Sequence, residues 1–403
     1  MEHVVIIGAG ASGMMAALTA AEGENRRVFL LERQQRPGRK LLSTGNGRCN
    51  LSTTGACISH YPGRQPDFAR PALEAFPPEE TLAFFRRLGL VTVTEPGGRI
   101  YPLSDSANSV LDVLRFALER RGVELLVSRP VRALCRQGRG FVLDTEEGGI
   151  RADKVVVACG GAAGGKLGGV TDGYTLLGSL VHGRTRLYPA LVPLLTDPMY
   201  PRALKGVRAD GAIELSIKGK VLARGEGDLQ FTERGVSGPA AFDLSRAASL
   251  VGAGAELHLD FMRAYPLKEV EVLLRARRGA LPSLETGQLF TGMVHNRLGR
   301  MLVKYAGLDA AAAVGSLSDK ALYQAALACK SFRLPLRGTE GFDSAQVTAG
   351  GVETEGFDPY TLESRLVPGL FACGEVLDID GDCGGYNLQW AWASGRLAGR
   401  LGK

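Results

Sequence analysis

The hexapeptide Gly-Ala-Gly-Ala-Ser-Gly at residues 8–13 fits the pattern G-x-G-x-x-G and follows an apolar run at residues 3–7. A continuous apolar run of this length is typical of a strand buried in a parallel sheet. Residues 12–23 are rich in alanine, leucine and methionine and predict a helix, and residues 27–32 predict a second strand. This order of strand, helix and strand predicts the βαβ unit of a dinucleotide-binding domain.

The glycines of this loop have separate predicted roles. Gly8 permits a sharp turn after the strand, Gly10 lets a pyrophosphate approach the backbone, and Gly13 lets the helix pack closely on the strand. The helix N-terminus offers N–H groups to the phosphates, and Ser12 is expected to add a hydrogen bond there. Glu32 lies 19 residues after Gly13, at a predicted strand end where a carboxylate accepts ribose hydroxyls. An acid here disfavours a 2′-phosphate, so the pattern predicts FAD or NAD rather than NADP.

Three further features favour FAD over NAD. The polar loop at residues 38–50 suits a backbone wrapped around a flavin and its ribityl chain. Residues 155–161 supply a later apolar strand and a glycine turn, and residues 369–375 return with a third strand that ends in Gly-Glu. Residues 384–389 then open the last helix, whose N-terminus can face the flavin atoms that gain negative charge on reduction. An NAD dehydrogenase would not need a C-terminal strand and helix that return to the dinucleotide domain.

The middle of the chain differs in character. Residues 189–262 alternate strand-like segments with turns and predict an antiparallel β subdomain, whereas residues 266–329 are mostly helical in pattern. A strand returns near 332–336. We therefore expect a discontinuous dinucleotide domain that is interrupted by one long insertion.

Bulk composition excludes several classes of protein. Hydrophobic residues form 45% of the 403 residues and charged residues 22%, which is typical of a folded domain rather than a disordered chain. The seven cysteines are an odd number without a CxxC pair, which indicates reduced thiols in a cytoplasm. The sequence shows neither a signal peptide nor an apolar window of about 18 residues, so we expect no membrane insertion. The five histidines lack metal-ligand spacing, so no metal site is expected.

Four segments carry a resemblance to a known family. They are Gly38–Asn50, Phe231–Pro239, Val347–Val352 and residues 368–389. With them the chain resembles, over nearly its whole length, the BaiN/YhiN-like flavoproteins, which are often described as NAD(P)/FAD-dependent oxidoreductases or aminoacetone-oxidase-like proteins. Cys383 departs from the pattern, because a threonine or similar small residue is expected there.

The resemblance implies an α/β fold with an FAD domain of the glutathione-reductase type, built from a parallel sheet and a β-meander. It also implies an inserted antiparallel β-barrel-like subdomain and a helical subdomain. The expected bounds are 1–187 with 341–403 for the FAD domain, 188–262 with 330–340 for the β subdomain, and 263–329 for the helical one. The implied activity is reduction of a conjugated C=C bond in a small apolar 3-oxo bile acid or steroid.

The expected cofactor-binding residues lie in five segments: the phosphate loop, the end of the second strand, the polar loop, the start of the meander with the later glycine turn, and the C-terminal return. They are Gly8, Gly10, Ala11, Ser12, Gly13, Glu32, Arg33, Arg39, Lys40, Asn46, Gly47, Arg48, Cys49, Asn50, Val131, Cys159, Gly160, Gly161, Gly374, Glu375, Gly385, Tyr386, Asn387 and Leu388.

The flavin carries the redox chemistry, so catalytic side chains are hard to identify from sequence. Thr348 belongs to a small, backbone-rich segment that we expect beside the flavin ring, although a plain strand turn is the alternative. Cys49 and Cys383 lie in proposed flavin loops, where a redox role competes with ordinary packing. Tyr386 is a further weak candidate, as a proton donor to an enolate.

Tyr101 and Tyr188 are alternative proton donors of the same kind, and a structural role is the more ordinary interpretation for each. Only one complete dinucleotide fingerprint is present, so NADH or NADPH is expected to bind transiently near the flavin. Small molecules are the expected partners, without nucleic acid, and the oligomeric state is left open.

Other functions remain open. A flavin amine oxidase of a small amine is one, and a flavin-binding interaction protein without turnover is another. A flavoprotein acting on RNA is a third, motivated by the net charge of +6 and the sequence pI of about 8.9. The aromatic residues of 189–262 are few beyond Phe231, Phe242 and Phe261, which weighs against recognition of RNA by stacking.

Overall fold

A computed structural model describes residues 1–402 of the chain. They form two compact units: Met1–Tyr188 with the residues from Gln346 onward, and Pro189–Ala345. The first is called unit 1 below and the second unit 2. None of the helices formed by these described residues is long and apolar enough to cross a membrane.

The strands are β1 (Glu2–Ile7), β2 (Arg26–Leu31), β3 (Ser52–Thr53), β4 (Thr92–Thr94), β5 (Arg99–Pro102), β6 (Glu124–Leu126), β7 (Val131–Gln137), β8 (Gly140–Thr145), β9 (Gly148–Ala152), β10 (Lys154–Val157), β11 (Tyr188–Ala190), β12 (Leu194–Thr196), β13 (Arg208–Ile217), β14 (Lys220–Phe231), β15 (Gly235–Ser237), β16 (Glu256–Asp260), β17 (Phe332–Thr339), β18 (Val347–Ala349) and β19 (Leu370–Ala372).

The α-helices are α1 (Ala11–Ala20), α2 (Arg39–Ser43), α3 (Arg70–Ala75), α4 (Pro78–Arg87), α5 (Ala107–Arg120), α6 (Asp172–Gly178), α7 (Met199–Leu204), α8 (Pro239–Val251), α9 (Leu267–Ala280), α10 (Asn296–Tyr305), α11 (Asp319–Lys330) and α12 (Tyr386–Gly399).

Unit 1 is built on a five-stranded parallel sheet in the order β19-β10-β1-β2-β6. The registers place Val5 between Val155 on β10 and Phe29 on β2. The central strands are apolar because both faces of the sheet are covered, and Val4, Val5 and Ile6 have no exposed surface. The parallel arrangement brings the ends of β1, β10 and β19, together with the loops that follow them, to one edge of the sheet.

The predicted β-meander is the three-stranded antiparallel sheet β7-β8-β9, and it immediately precedes β10. A second small sheet, β3-β5-β4, follows the polar loop. The expected fold class for the FAD domain, a parallel sheet with a meander, is therefore confirmed.

Unit 2 contains a closed antiparallel barrel in the order β12-β15-β14-β13-β16-β17, with β17 paired back to β12. Alternate residues of its strands point inward, and Ile213, Leu257 and Leu334 are fully buried among them. Helices α9, α10 and α11 follow β16 before β17 closes the barrel. Both the predicted barrel-like subdomain and the predicted helical subdomain are present.

Two local expectations need correction. The segment at residues 38–50 was expected to be a polar loop, yet it contains the short helix α2. Residues 189–262 were expected to be all β, yet α8 packs its buried face, including Leu244, against the barrel. Ser106 precedes α5 at the N-cap position, and its side chain makes no capping hydrogen bond.

Candidate functional site

The phosphate loop has the geometry that its glycines predict. Gly8 adopts a φ of +105°, which favours glycine, and a Cβ at this position would lie 2.5 Å from the carbonyl oxygen of Ala158. A Cβ on Gly13 would lie 1.8 Å from the carbonyl oxygen of Gly8, so the helix can approach the strand only without a side chain. A Cβ on Gly10 would have no protein atom within 4 Å. Gly10 therefore leaves open the face along which a pyrophosphate could meet the backbone.

The first turn of α1 adds a favourable electrostatic environment to the phosphate loop. The helix begins at Ala11 after an extended Gly10, and no side chain caps its N-terminus. N–H groups at the start of a helix lack intrahelical partners and lie at the positive end of its dipole. Ser12 is buried, and its hydroxyl contacts the thiol of Cys373. The turn can thus bind phosphate through its backbone.

Glu32 ties the loop to the end of β2. One carboxylate oxygen accepts a hydrogen bond from the N–H of Ala9 at 2.9 Å, and the other accepts from the N–H of Gln34 at 2.9 Å. A carboxylate has about four lone-pair sites, so capacity remains for ribose hydroxyls. The position of the acid was predicted, whereas its two backbone bonds could not be read from the spacing alone.

A polar network joins the polar loop to the C-terminal return. The ammonium of Lys40 lies 2.6 Å from one oxygen of Glu375, and the other oxygen accepts the N–H of Thr348 at 2.8 Å. The hydroxyl of Thr348 in turn accepts the N–H of Ala163 at 2.9 Å. Gly161 lies against this network, because a Cβ there would be 2.5 Å from the Thr348 hydroxyl. Thr348 is almost fully buried, so it holds the network together rather than presenting a free hydroxyl.

The C-terminal return also touches the phosphate loop directly. Gly374 adopts a φ of +77°, and a Cβ there would lie 2.4 Å from the hydroxyl oxygen of Ser12. The N–H of Gly374 donates to the hydroxyl of Ser394 at 3.0 Å. Residues 362 positions apart in sequence are therefore in contact at one edge of the sheet.

The predicted arginines of this region are engaged in protein contacts. Arg33 pairs with Asp172 at 3.4 Å, and Arg39 donates to Gln34 and to the carbonyl of Lys166. These contacts hold the polar loop in place.

Arg48 pairs with Glu95 at 2.6 Å and also with Asp105, and its guanidinium lies 4.1 Å from the ring centroid of Tyr101. The hydrogen bonds to these acids raise the pKa of Arg48 above its ordinary value. Arg48 is consequently a fixed charge that shapes the loop, and Tyr101 is buried beneath it.

The polar loop bends through positive φ at residues other than glycine. Asn46 has a φ of +57° and Cys49 a φ of +61°, and Gly47 lies between them at +87°. Cys49 is fully buried, and burial raises the pKa of its thiol to about 12. A thiol of that pKa stays protonated at neutral pH, which argues for packing rather than redox chemistry.

Asn50 presents an orphaned acceptor beside the last helix. Its side-chain oxygen is buried and has no hydrogen-bond partner among residues 1–402. A Cβ on Gly385 would lie 3.0 Å from this oxygen and 2.5 Å from the carbonyl oxygen of Ser52. A buried acceptor without a donor is costly unless a bound group supplies one. The N3–H of an isoalloxazine ring is a donor of this kind.

The glycine turn after β10 exposes its backbone in the same region. Gly160 adopts a φ of +73°, and a Cβ there would have no atom within 4 Å. Burial raises the pKa of the neighbouring Cys159 thiol to about 12, so it too is a packing group. Val131 begins β7 and is buried opposite Thr145.

The start of α12 is held by Asn387. Its amide nitrogen donates to the carbonyl of Gly381 at 2.7 Å, and its oxygen accepts the N–H of Gly381 at 2.8 Å. Asn387 thus clamps the preceding turn, while Leu388 packs partly buried against the core. Gly385 precedes the helix at a φ of +101°.

An imidazole and a carboxylate lie at this turn and were not expected from the sequence. His60 Nδ1 is 2.9 Å from a carboxylate oxygen of Asp382, and the N–H of Asp382 donates to the carbonyl of His60 at 3.0 Å. The ring of His60 stacks on Tyr386 with centroids 4.4 Å apart. The side chains of His60 and Asp382 are both partly exposed. The two residues are 322 positions apart, so only the fold brings them together.

This pair can hold a proton in a defined place. Because the carboxylate accepts from Nδ1–H, Nε2 of His60 is the nitrogen left to exchange a proton with a ligand. Tyr386, the predicted proton donor, packs against this imidazole, and its backbone carbonyl accepts the hydroxyl of Tyr61 at 2.9 Å. Tyr188, the other tyrosine candidate, lies beneath the guanidinium of Arg186.

The site contains no evident metal centre. Among residues 1–402, no group of three or more histidine, cysteine, aspartate or glutamate side chains is arranged to hold a metal ion. The residues present instead fit a flavin dinucleotide in two places. Gly10 offers an open backbone to a pyrophosphate, and Asn50 offers an unsatisfied acceptor beside the N-terminus of α12.

Comparison with known proteins gives a match over the whole chain. The family model described as the HI0933-like protein Rossmann domain matches residues 2–401. The 3-dehydro-bile acid delta(4,6)-reductase of Clostridium scindens is 39% identical, over 99% of this chain and 98% of that protein. The ribosomal RNA dihydrouridine synthase of Escherichia coli is 30% identical, over 97% of this chain and 95% of that protein.

A solved structure shares the fold. The 3-ketosteroid delta1-dehydrogenase from Sterolibacterium denitrificans, in complex with 1,4-androstadiene-3,17-dione, superposes with a TM-score of 0.51 and covers 99% of both chains. Its sequence is 15% identical, so this likeness concerns the architecture alone.

Proposed function

The chain belongs to the HI0933-like family of Rossmann-domain proteins, and on that premise we propose that it is an FAD-dependent reductase of a C=C bond conjugated with a carbonyl group. The observation that carries the proposal is the contact between the phosphate loop and the C-terminal return. A Cβ placed on Gly374 would lie 2.4 Å from the hydroxyl oxygen of Ser12. This contact brings the turn after β19 against the phosphate loop, and we infer that a single dinucleotide reaches both.

Bound FAD in its reduced form supplies a hydride for such a reaction. The adenosine half would be held by Glu32 and the pyrophosphate by the first turn of α1. Asn50 and the N-terminus of α12 would hold the pyrimidine side of the flavin ring, where a helix N-terminus favours negative charge. The ion pair between Lys40 and Glu375 joins the polar loop to the C-terminal return.

The chain's own contribution to the chemistry is a proton. Hydride addition to one carbon of the C=C bond leaves an enolate, which takes a proton at the other carbon. We infer that His60 would deliver it from Nε2. Asp382 holds Nδ1, and the stack on Tyr386 holds the ring plane. In this proposal His60 takes the role of proton donor that the sequence suggested for Tyr386, Tyr101 or Tyr188.

The hydride donor would be NADH or NADPH. The chain carries a single complete dinucleotide fingerprint, at residues 8–13, so a nicotinamide would bind in turn with the substrate rather than at a permanent second site. The cysteines are poorly suited to relay electrons instead, since burial raises the pKa of the Cys49, Cys159 and Cys373 thiols to about 12.

A small 3-oxo compound with a ring C=C bond is the first candidate substrate. The Clostridium scindens relative is named for reduction of a 3-dehydro-bile acid. An extended ring system of this kind carries a carbonyl conjugated with the C=C bond, which activates it toward hydride.

A uracil ring in RNA is the second candidate. Dihydrouridine, the product in the name of the Escherichia coli relative, is uridine whose ring C=C bond has been reduced, and that bond is also conjugated with a carbonyl. Unit 2 favours this candidate electrostatically, because residues 189–345 contain 20 lysine and arginine residues against 16 aspartate and glutamate residues. An RNA substrate would depart from the expectation of no nucleic-acid partner.

The test is a half-reaction experiment without oxygen. The FAD-loaded protein is bleached with NADH or NADPH and then mixed with a 3-oxo-4-ene steroid, its saturated 3-oxo analogue, or a uridine-containing RNA. We expect the flavin colour to return with the conjugated steroid or with the RNA, and not with the saturated analogue. Failure of both unsaturated compounds to reoxidise the flavin would contradict the proposal.

A further inference from the structure

One surface of unit 2 carries cations that the protein does not neutralise. Helix α10 presents Arg297, Arg300 and Lys304 at positions i, i+3 and i+7, and all three are exposed. This spacing places them within about 60° of one another around the helix axis and over about 10 Å along it. They form one narrow row.

The opposite side of α10 is committed to the core. Leu298, Leu302 and Val303 are fully buried, and a Cβ on Gly299 would lie 2.9 Å from Phe290. The helix cannot turn its apolar side outward without losing this packing. The cationic row is therefore the side that α10 offers to a partner.

The row is extended by the end of α7. The guanidinium of Arg297 donates to the carbonyls of Ala203 at 2.7 Å and Lys205 at 3.2 Å, which places the end of α7 beside α10. Arg202 and Lys205 are exposed at this end. Together Arg202, Lys205, Arg297, Arg300 and Lys304 are called the α10 face below.

Acidic residues barely compensate this face. Among residues 1–402, its only ion pair is that of Lys205 with Glu233 at 3.0 Å. Cations elsewhere in unit 2 are paired more fully: Arg263 contacts Asp210 and Glu226, and both oxygens of Asp319 contact arginines of α9. The α10 face thus gathers five cations around one acidic residue, Glu233, which acts on Lys205 and on Arg202.

We propose that the α10 face binds the phosphate backbone of RNA. The inference deepens the second candidate of the proposed function and rests on it for the choice of polyanion. A row of exposed cations spanning about 10 Å can contact successive phosphates, and such contacts position a nucleic acid without reading its sequence. No stacking platform is needed for this role, which agrees with the burial of Phe231 and Phe261 in the barrel core.

The test compares two charge-matched variants by anisotropy of a short fluorescein-labelled RNA hairpin. The first neutralises three exposed cations of the face: Arg202→Gln, Arg300→Gln and Lys304→Gln. It keeps Arg297, whose bonds hold α7 to α10. The control neutralises Lys220, Lys268 and Lys320, which are exposed on β14, α9 and α11 and have no ion pair among residues 1–402. Both variants are checked for an unchanged melting temperature.

We expect the face variant to bind the hairpin about 100-fold more weakly near 100 mM salt. Its plot of log affinity against log salt should be shallower by roughly two units, since each lost phosphate contact removes about 0.7 to 0.9. The control loses the same charge from other parts of the unit 2 surface, so it should differ from the parent by less than about threefold. An RNA affinity and salt slope equal to those of the parent would overturn the proposal, as would tighter binding to anionic vesicles or polyglutamate than to the hairpin.

The outcome is separable from that of the proposed function. The face variant should keep its bound FAD and its reduction by NADH or NADPH, since none of the three residues belongs to the cofactor site. A parent protein that binds the hairpin but never reduces a conjugated C=C bond would sink the proposed function and leave the α10 face standing. A parent that reduces the steroid but does not bind the hairpin would do the reverse.

Discussion

The phosphate loop and the C-terminal return both follow a strand of the same parallel sheet, and both lead through glycine into a helix. The phosphate loop is shaped by the absence of side chains: Gly13 admits the carbonyl of Gly8, and Gly10 leaves its face open. The return is shaped by side chains that reach across the fold, as Glu375 does to Lys40 and Asp382 does to His60. The first region should therefore respond to a single added methyl group, and the second to a change of charge.

The largest effect is expected from Gly13→Ala. The added Cβ would lie 1.8 Å from a backbone oxygen, so α1 must move away from β1. Overpacking of this severity costs at least about 3 kcal/mol. We expect a lower urea midpoint of unfolding in the protein without FAD. Gly178→Ala is the matched control, because a Cβ there meets no atom within 4 Å; a stability of Gly13→Ala equal to that of this control would contradict the account.

The next effect concerns the return. His60→Phe keeps an aromatic ring on Tyr386 but removes the nitrogen that would deliver the proton. We expect the rate of substrate reduction to fall about 100-fold, as is usual for loss of a general acid, while FAD content and NADH reduction are retained. Anaerobic reoxidation of the reduced flavin by substrate measures this step.

His295→Asn is the control for this variant. It changes an exposed histidine of unit 2 that caps α10, and asparagine can keep the cap through its side-chain oxygen. An unchanged rate of substrate reduction in His60→Phe would show that the imidazole has no part in proton delivery.

Gly10→Ala separates binding from folding within the phosphate loop. The new methyl group meets no protein atom, so the free energy of unfolding without FAD should change by less than about 0.5 kcal/mol. The methyl group would nevertheless occupy the face that a pyrophosphate needs, and we expect the affinity for FAD to fall at least about tenfold. Titration of flavin fluorescence measures it. Full affinity in this variant would place the pyrophosphate elsewhere.

The smallest effect is expected at the ion pair of the return. Lys40 and Glu375 are partly exposed, with 30% and 20% of their side-chain surface accessible, so their attraction is screened by water. A double-mutant cycle of Lys40→Met and Glu375→Gln should give a coupling free energy of about 1 kcal/mol or less. The N–H of Thr348 keeps an acceptor in the glutamine variant. A coupling of several kcal/mol would mean that the pair is far less hydrated than it is in the structure.

The two regions also differ in how far sequence could anticipate them. The roles of Gly8, Gly10 and Gly13 follow from spacing within one βαβ unit, because the atoms they meet belong to neighbouring residues or to the adjacent strand. The pairing of His60 with Asp382 depends on a contact across 322 positions, and a lone histidine in a polar segment gives no signal of its partner. The sequence rule that could have flagged it is the concentration of polar residues in loops at one edge of a parallel sheet.

Two smaller differences have the same origin. Helix α8 was missed because the strand-like segments before and after it dominate the sequence pattern. A signal for the helix start was nevertheless present, since Pro239 occupies its first turn and follows Gly238, which has a positive φ. The arginines at 33, 39 and 48 were expected near a cofactor. In the structure they contact acidic side chains and a carbonyl group instead. These partners lie in loops that are distant in sequence, so no local pattern identifies them.

The account depends most on the claim that one FAD spans the phosphate loop and the C-terminal return. The direct measurement is titration of the FAD-free protein with FAD, in the presence and absence of ADP. We predict one FAD per chain, with quenched flavin fluorescence, and competition by ADP, which would share only the adenosine half of the site. A protein that stays colourless and cannot be loaded with FAD would contradict the claim.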